Sequence, residues 1–329
     1  MPLKVGIPRA LLYYYYYPMW RGFFQELGAE VVLSQPSNKG LLAAGLKNAV
    51  DEVCLPVKLA YGHVLDLADK SDFVFLPRLV SVGRREYICP KFLGFPDMIR
   101  RIKGIPKLID TNINLYKSSM EIYRAVHEVG KLFSGSSYKI WMAFLRSLKV
   151  HKQYFKLLQM GLMPNEAMAI LEDRVENLPL PEPEDSFKVA LIGHPYNIYD
   201  TYISMNIIKR LKEMGASIVT AEFLPDHVVQ NCASRCLPKK LFWTLGQRMA
   251  GAAFSYMEGP DVAGLVHIAA FGCGPDSMTG ELIERSARSN GVPFLNITLD
   301  EHTGEAGLLT RLEAFMDMLR WRKAGAAFM

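Results

Sequence analysis

The chain has 329 residues, half of them hydrophobic and 22% charged, with 38 Lys and Arg against 33 Asp and Glu for a net charge of +5. At roughly 100 to 200 residues per domain this length suits two medium domains, and the composition supplies a core and argues against global disorder. The mild cationic excess suits an acidic partner or an anionic cofactor, but there is no basic run with interleaved aromatics of the nucleic-acid kind, and no apolar stretch approaches the roughly 18 residues of a membrane span.

Residues 4–8 read as a first strand, where a signal peptide would place an apolar helix. Trp20, Phe23, Phe24 and Leu27 recur at the i, i+3, i+4, i+7 spacing of a helix with one buried stripe, and Gly28 ends it. The tyrosine run from Tyr13 to Tyr17 reads as a packing surface with wet hydroxyls. Residues 30–34 form a second strand and 38–49 a second helix; Cys54 then precedes a helix carrying Gly62 and His63. A third strand at 72–76 leads into a polar loop at 81–87 and into Cys89-Pro90, and a strand at 107–110 completes a first α/β lobe, residues 1–114.

Residues 115–178 are helical in pattern, and Pro179, Pro181 and Pro183 then mark a linker, so 115–185 reads as a helical insert with a proline-rich tail. The second lobe, 186–329, repeats the first. Residues 188–195 answer 4–8, and Gly28-Ala29 and Gly215-Ala216 each close a first helix before a β-branched run. A strand at 264–270 followed by Cys273 answers 72–76 followed by Cys89; a last strand, 293–299, precedes a helix with Leu308, Leu312, Phe315 and Leu319 on one face. This alternation predicts an α/β fold of two similar doubly wound lobes, with mostly parallel sheets facing across a cleft.

Cys273, within Phe271-Gly272-Cys273-Gly274-Pro275-Asp276-Ser277, falls at the carboxyl end of a strand, where open α/β sheets keep their ligands. Two glycines and a proline leave backbone N–H groups free to face something negative, such as iron-bound sulfide or thiolate. Taken alone, the motif equally describes a buried, inert thiol in a tight turn. Cys54 and Cys89 share the Gly- or Pro-marked setting, and in Cys89-Pro90 the proline is expected to bar a helix and fix the loop. Cys232 and Cys236, four apart on one face of any helix there, read as structural. Five cysteines in a long chain argue against a secreted disulfide framework and for a cytoplasmic protein. Zinc is the rival metal, but the compact C-x2-C pairs that structural zinc favours are absent. His63, His194 and His302 each sit near a loop or helix start, and His302, which follows a strand end, stays open as a metal ligand, a polar orienter or a proton donor. There is no Walker motif and no G-x-G-x-x-G after a strand, which leaves ATP hydrolysis and dinucleotide binding without support.

Ile7-Pro8-Arg9-Ala10-Leu11, Cys54-Leu55-Pro56-Val57-Lys58, Ile88-Cys89-Pro90-Lys91, Gly193-His194-Pro195-Tyr196-Asn197, the Cys273 motif and Asp300-Glu301-His302-Thr303-Gly304-Glu305-Ala306-Gly307 together resemble the acyl-CoA dehydratase activase-related family. That family is similar to the iron-sulfur subunits of 2-hydroxyacyl-CoA dehydratases and, more distantly, to double-cubane cluster proteins. The resemblance implies a 4Fe-4S cluster, or a related larger one, on Cys54, Cys89 and Cys273 with one iron left open. A separate ATP-dependent activase with its own iron-sulfur cluster would reduce it, and His63, His194 and His302 are the candidate proton-handling groups. The expected protein is an oxygen-sensitive redox component of the lyase or reductase type, acting on an acyl-CoA or other small molecule, in a homo- or heterodimer, with neither nucleic acid nor membrane as partner. No coenzyme A site maps onto the sequence. The alternative is a non-catalytic ligand-binding or activase-docking protein whose cysteines are metal-free or hold zinc.

Overall fold

The computed structural model describes residues 1–116, 118–173, 187–259 and 261–326. The prolines at 179, 181 and 183 lie outside them. The chain divides into two compact units: residues 1–158, 163–177 and 242–244 form the first, and 159–162, 178–241 and 245–329 the second. Among the described residues no helix is long and apolar enough to cross a membrane.

In chain order the first unit comprises β1 (Lys4–Ile7), α1 (Tyr13–Glu26), β2 (Glu30–Leu33), α2 (Lys39–Asn48), α3 (Leu55–Asp66), β3 (Phe73–Phe75), β4 (Arg78–Ser81), α4 (Pro90–Ile99), β5 (Lys107–Ile109), β6 (Asn112–Asn114), α5 (Glu121–Gly130), α6 (Ser137–Gln159) and α7 (Pro164–Leu171). Its main sheet is parallel throughout, in the order β2-β1-β3-β5. Val5, Ile7 and Val74 are buried along its middle strands, as a parallel sheet covered on both faces requires. The short parallel pair β4–β6 lies outside that sheet and carries too few residues for periodicity to announce it.

The tyrosine run does not precede the first helix; it is the helix's first turns, with Tyr13, Tyr14, Tyr15 and Tyr17 buried. Pro18 follows inside α1 and has no N–H for the carbonyl four residues back. The hydroxyl of Tyr154, on α6, donates to that carbonyl, Tyr14 O, at 2.6 Å. Helices α2 and α3 meet through glycines: a Cβ on Gly45 would stand 2.0 Å from the Lys58 carbonyl oxygen, and one on Gly62 1.9 Å from that of Leu41.

The second unit runs β7 (Phe187–Gly193), α8 (Pro195–Ile198), α9 (Ile207–Glu213), β8 (Ala216–Thr220), a 3-10 turn (Ala221–Phe223), α10 (Asp226–Cys236), α11 (Thr244–Glu258), β9 (Val262–Ala270), α12 (Gly274–Ser289), β10 (Phe294–Leu299) and α13 (Glu305–Ala326). Its sheet is again parallel, in the order β8-β7-β9-β10. The two units therefore share one topology, second strand, first, third, fourth, as the internal repetition predicts. Gly28 at φ +86° and Gly215 at φ +84° follow α1 and α9, the helices that lead into the second strand of each unit, in the left-handed conformation that glycine tolerates. On α13, Leu308, Leu312, Phe315 and Leu319 are all buried. In each unit the connections leave the first and third strands in opposite directions, so a topological switch point opens at the carboxyl ends of β1 and β3 in one and of β7 and β9 in the other.

Candidate metal centre

Cys54, Cys89 and Cys273 are each the N-cap residue of a helix: α3, α4 and α12. Each helix carries proline at its first or second position, where the missing N–H costs nothing and the fixed φ suits the helix. This corrects the reading of Cys89-Pro90, since Pro90 begins a helix and does not bar one. None of the three thiols caps its own helix by a side-chain hydrogen bond. The first N–H groups of a helix are unsatisfied and favour negative charge, so all three sulfurs stand at anion-favouring positions. The Cys89 turn is held from behind: Ile88 N–H donates to Val80 O at 3.0 Å, and Tyr87 stacks on Tyr116 and Phe242 with ring centroids 4.6 and 4.8 Å apart.

The second unit gathers a buried polar cluster at its switch point. Gly193 ends β7, and any Cβ there would stand 2.6 Å from the Ile268 carbonyl oxygen on β9, so glycine lets the two strand ends approach. His194 follows as the N-cap of α8, Gly272 turns the chain after β9 at φ +77°, and Cys273 and Asp276 open α12. One donor atom from each of His194, Cys273 and Asp276 lies within 4.8 Å of the other two, and all three residues are buried. His194 Nε2 is 2.8 Å from Asp276 Oδ1. This is an ion-pair distance, yet neither carboxylate oxygen has a well-angled hydrogen bond among the described residues, and His194 Nδ1 has none either. Burial alone would raise the Asp276 carboxyl; the neighbouring His194, His267 and the Cys273 thiol outweigh it and hold the group below the ordinary carboxylate value.

Two further buried side chains belong to this neighbourhood. His267, on β9, shares Nδ1 with Oδ1 of Asn296, its register partner on β10, at 3.0 Å. Its Nε2 is buried without a hydrogen bond among the described residues, and burial drives its pKa down, so the ring is neutral. Gly280, one turn past Asp276, makes room for that ring: a Cβ there would meet His267 Cε1 at 2.7 Å. Asn197 is fully buried, with neither amide atom hydrogen-bonded among the described residues. A buried polar group left so costs about 1–3 kcal/mol, which makes this concentration of them informative. Asp276, Asn197 and His267 escaped the sequence reading. For Asp276 a signal existed, an acid in the first turn behind an N-cap cysteine; for His267, inside an apolar strand, there was none.

The other predicted residues are placed differently. His63 is fully buried within α3, with Nδ1 2.8 Å from Ser34 Oγ and Nε2 2.9 Å from Ser37 Oγ. Burial lowers its pKa to about 4, so it is a neutral ring with both nitrogens engaged. His302 is exposed in the turn after β10, where its N–H donates to Asp300 Oδ1 at 2.8 Å. Cys232 is buried and Cys236 exposed, both in the last turns of α10, with sulfurs 3.8 Å from the two oxygens of Glu258. At the first unit's own switch point there is an open apolar pocket, lined among others by Ala10, Leu11, Phe75, Pro77 and Phe92. Leu11 there holds φ +53°, strained for a non-glycine residue.

These features define a tandem doubly wound α/β protein in which cysteines at helix N-termini and a buried His–Asp pair offer soft and borderline donors to a metal. The chain belongs to the family described as CoA enzyme activase uncharacterised domain, whose model matches residues 4–224, and this is the acyl-CoA dehydratase activase-related family that the motifs resemble. The matched span includes Cys54, His63, Cys89 and His194 and ends before Cys273. No curated protein shows detectable similarity to the chain.

Proposed function

We propose that this protein is an iron-sulfur redox component of coenzyme A enzyme chemistry, with Cys54, Cys89 and Cys273 as thiolate ligands of a 4Fe-4S or larger cluster and an ATP-dependent activase as electron donor. One observation carries the reading: these three cysteines share an N-cap setting with proline at N1 or N2, and Cys232 and Cys236 do not. The donor chemistry fits, because anionic sulfur is what a helix N-terminus favours. Bound there, such a cluster would supply one-electron transfer and, with only three thiolates, an iron open to a further ligand.

The chain's own residues do the rest. The prolines hold the cysteine turns, and buried His194 and Asp276 keep the surroundings of Cys273 polar. Exposed Phe271 and Met278 flank that turn and offer apolar contact to a partner protein.

The test is anaerobic purification followed by iron, sulfide and zinc analysis. Iron and sulfide with visible charge-transfer absorption are expected, with most iron lost on replacing Cys54, Cys89 or Cys273 by Ala and none lost on replacing Cys232 or Cys236. A colourless anaerobic protein would instead favour a non-catalytic binding or docking role.

A further inference from the structure

We infer that the second unit by itself binds a single divalent cation of the zinc type through His194, Cys273 and Asp276, a site that shares only Cys273 with the three-cysteine cluster. The argument is one of scale. Donors on one tetrahedral ion, with bonds of about 2.0–2.3 Å, stand roughly 3.3–3.8 Å apart. The donor atoms of His194, Cys273 and Asp276 already lie within 4.8 Å of one another. Thiolates on separate irons of a cubane stand farther apart, at roughly 6–7 Å. This group is therefore sized for one ion, and the 2.8 Å contact between His194 Nε2 and Asp276 Oδ1 need open only slightly to admit it.

A second observation points the same way. His194 Nδ1 is buried with no hydrogen bond among the described residues, and the Asp276 carboxylate faces the His194 ring and the Cys273 thiol, the other two donors of the same group. A cation satisfies the carboxylate directly and leaves the imidazole oriented. The charges also close, since a thiolate and a carboxylate neutralise a divalent ion beside a neutral imidazole. As the sulfur–metal bond forms, the thiol proton leaves to solvent, and no electron moves. Imidazole, thiolate and carboxylate are together a zinc-type set, and three protein donors leave a fourth position for water or a ligand atom. Behind the site, Asn296 fixes the His267 ring. Because the ion and the cluster would both use Cys273, they are alternative occupants of that sulfur.

The experiment titrates metal-free, anaerobic, full-length protein with Co²⁺ as a spectroscopic probe, followed by displacement with Zn²⁺. One equivalent should bind with a thiolate-to-cobalt charge-transfer band, and Zn²⁺ should abolish the band. Cys273→Ala should remove it, His194→Gln and Asp276→Asn should each weaken Co²⁺ binding at least tenfold, and Cys54→Ala and Cys89→Ala should leave it unchanged. The same Cys54 and Cys89 variants should lose cluster iron, so the two readings fail independently. No band in the unaltered protein, a band that survives Cys273→Ala, or one lost with Cys54 or Cys89 would overturn the proposal. Should Cys273→Ala not fold, the rise in melting temperature on adding Zn²⁺ to the unaltered protein, expected to vanish in Asp276→Asn, decides it; an equal rise in both overturns it.

Discussion

The hydroxyl of Tyr154 donates 2.6 Å to the carbonyl of Tyr14, the acceptor that Pro18 leaves unserved in α1. Tyr154 is fully buried, so no solvent can replace it. Tyr154→Phe should destabilise the first unit by about 1–3 kcal/mol, the cost of an orphaned buried acceptor. Pro18→Ala returns an N–H to that carbonyl, so the double variant should lose less than the two singles together, as read from chemical denaturation.

His63 predicts how stability follows pH. Its folded pKa is lowered by burial to about 4 from an ordinary 6.5, so between those values the unfolded chain takes up a proton that the folded chain refuses. Stability should fall as pH drops below about 6.5 and level off near 4, a span worth roughly 3 kcal/mol. Urea midpoints measured across that range should show the slope, and His63→Leu should flatten its share of it while lowering stability at neutral pH.

The contact of α2 with α3 should not tolerate a methyl group. Gly62→Ala puts a carbon 1.9 Å from the Leu41 carbonyl oxygen, a backbone atom that can yield only if the helices part. The expected loss is about 3 kcal/mol or more. Gly94→Ala, on α4 with open space around its Cβ position, is the control and should lose far less in the same thermal melt.

Cys236 is the exposed cysteine, but its thiol is raised above the ordinary value by partial burial and then by the Glu258 carboxylate. At neutral pH it should alkylate more slowly than a free cysteine, because the thiolate is the nucleophile. Glu258→Gln should speed the reaction several-fold and move its pH profile downward, followed by mass spectrometry of the labelled peptide.

Much of the fold was legible because it is written locally. Strand-length apolar runs, the Leu308–Leu319 stripe and the helix-ending Gly28 and Gly215 depend on near neighbours alone, and the structure reproduces them with one strand order in both units. Short β4 and β6 were lost for the same reason, since three or four residues hold too little pattern. The tyrosine run does pack, but that it opens α1 and that Tyr14 meets Tyr154 of α6 depend on the tertiary structure.

The sequence by itself determined that cysteines stand beside Gly or Pro at turns that open helices, because proline at N1 or N2 and glycine at positive φ are local backbone requirements. It could not distinguish His63 from His194. Tertiary structure decided between them: α3 carries His63 to the hydroxyls of Ser34 and Ser37, while adjacent β7 and β9 bring His194 to Asp276, 82 positions further along the chain. Hydrogen-bonding partners and burial follow from which strands are neighbours, and strand neighbourhood is a property of the whole sheet.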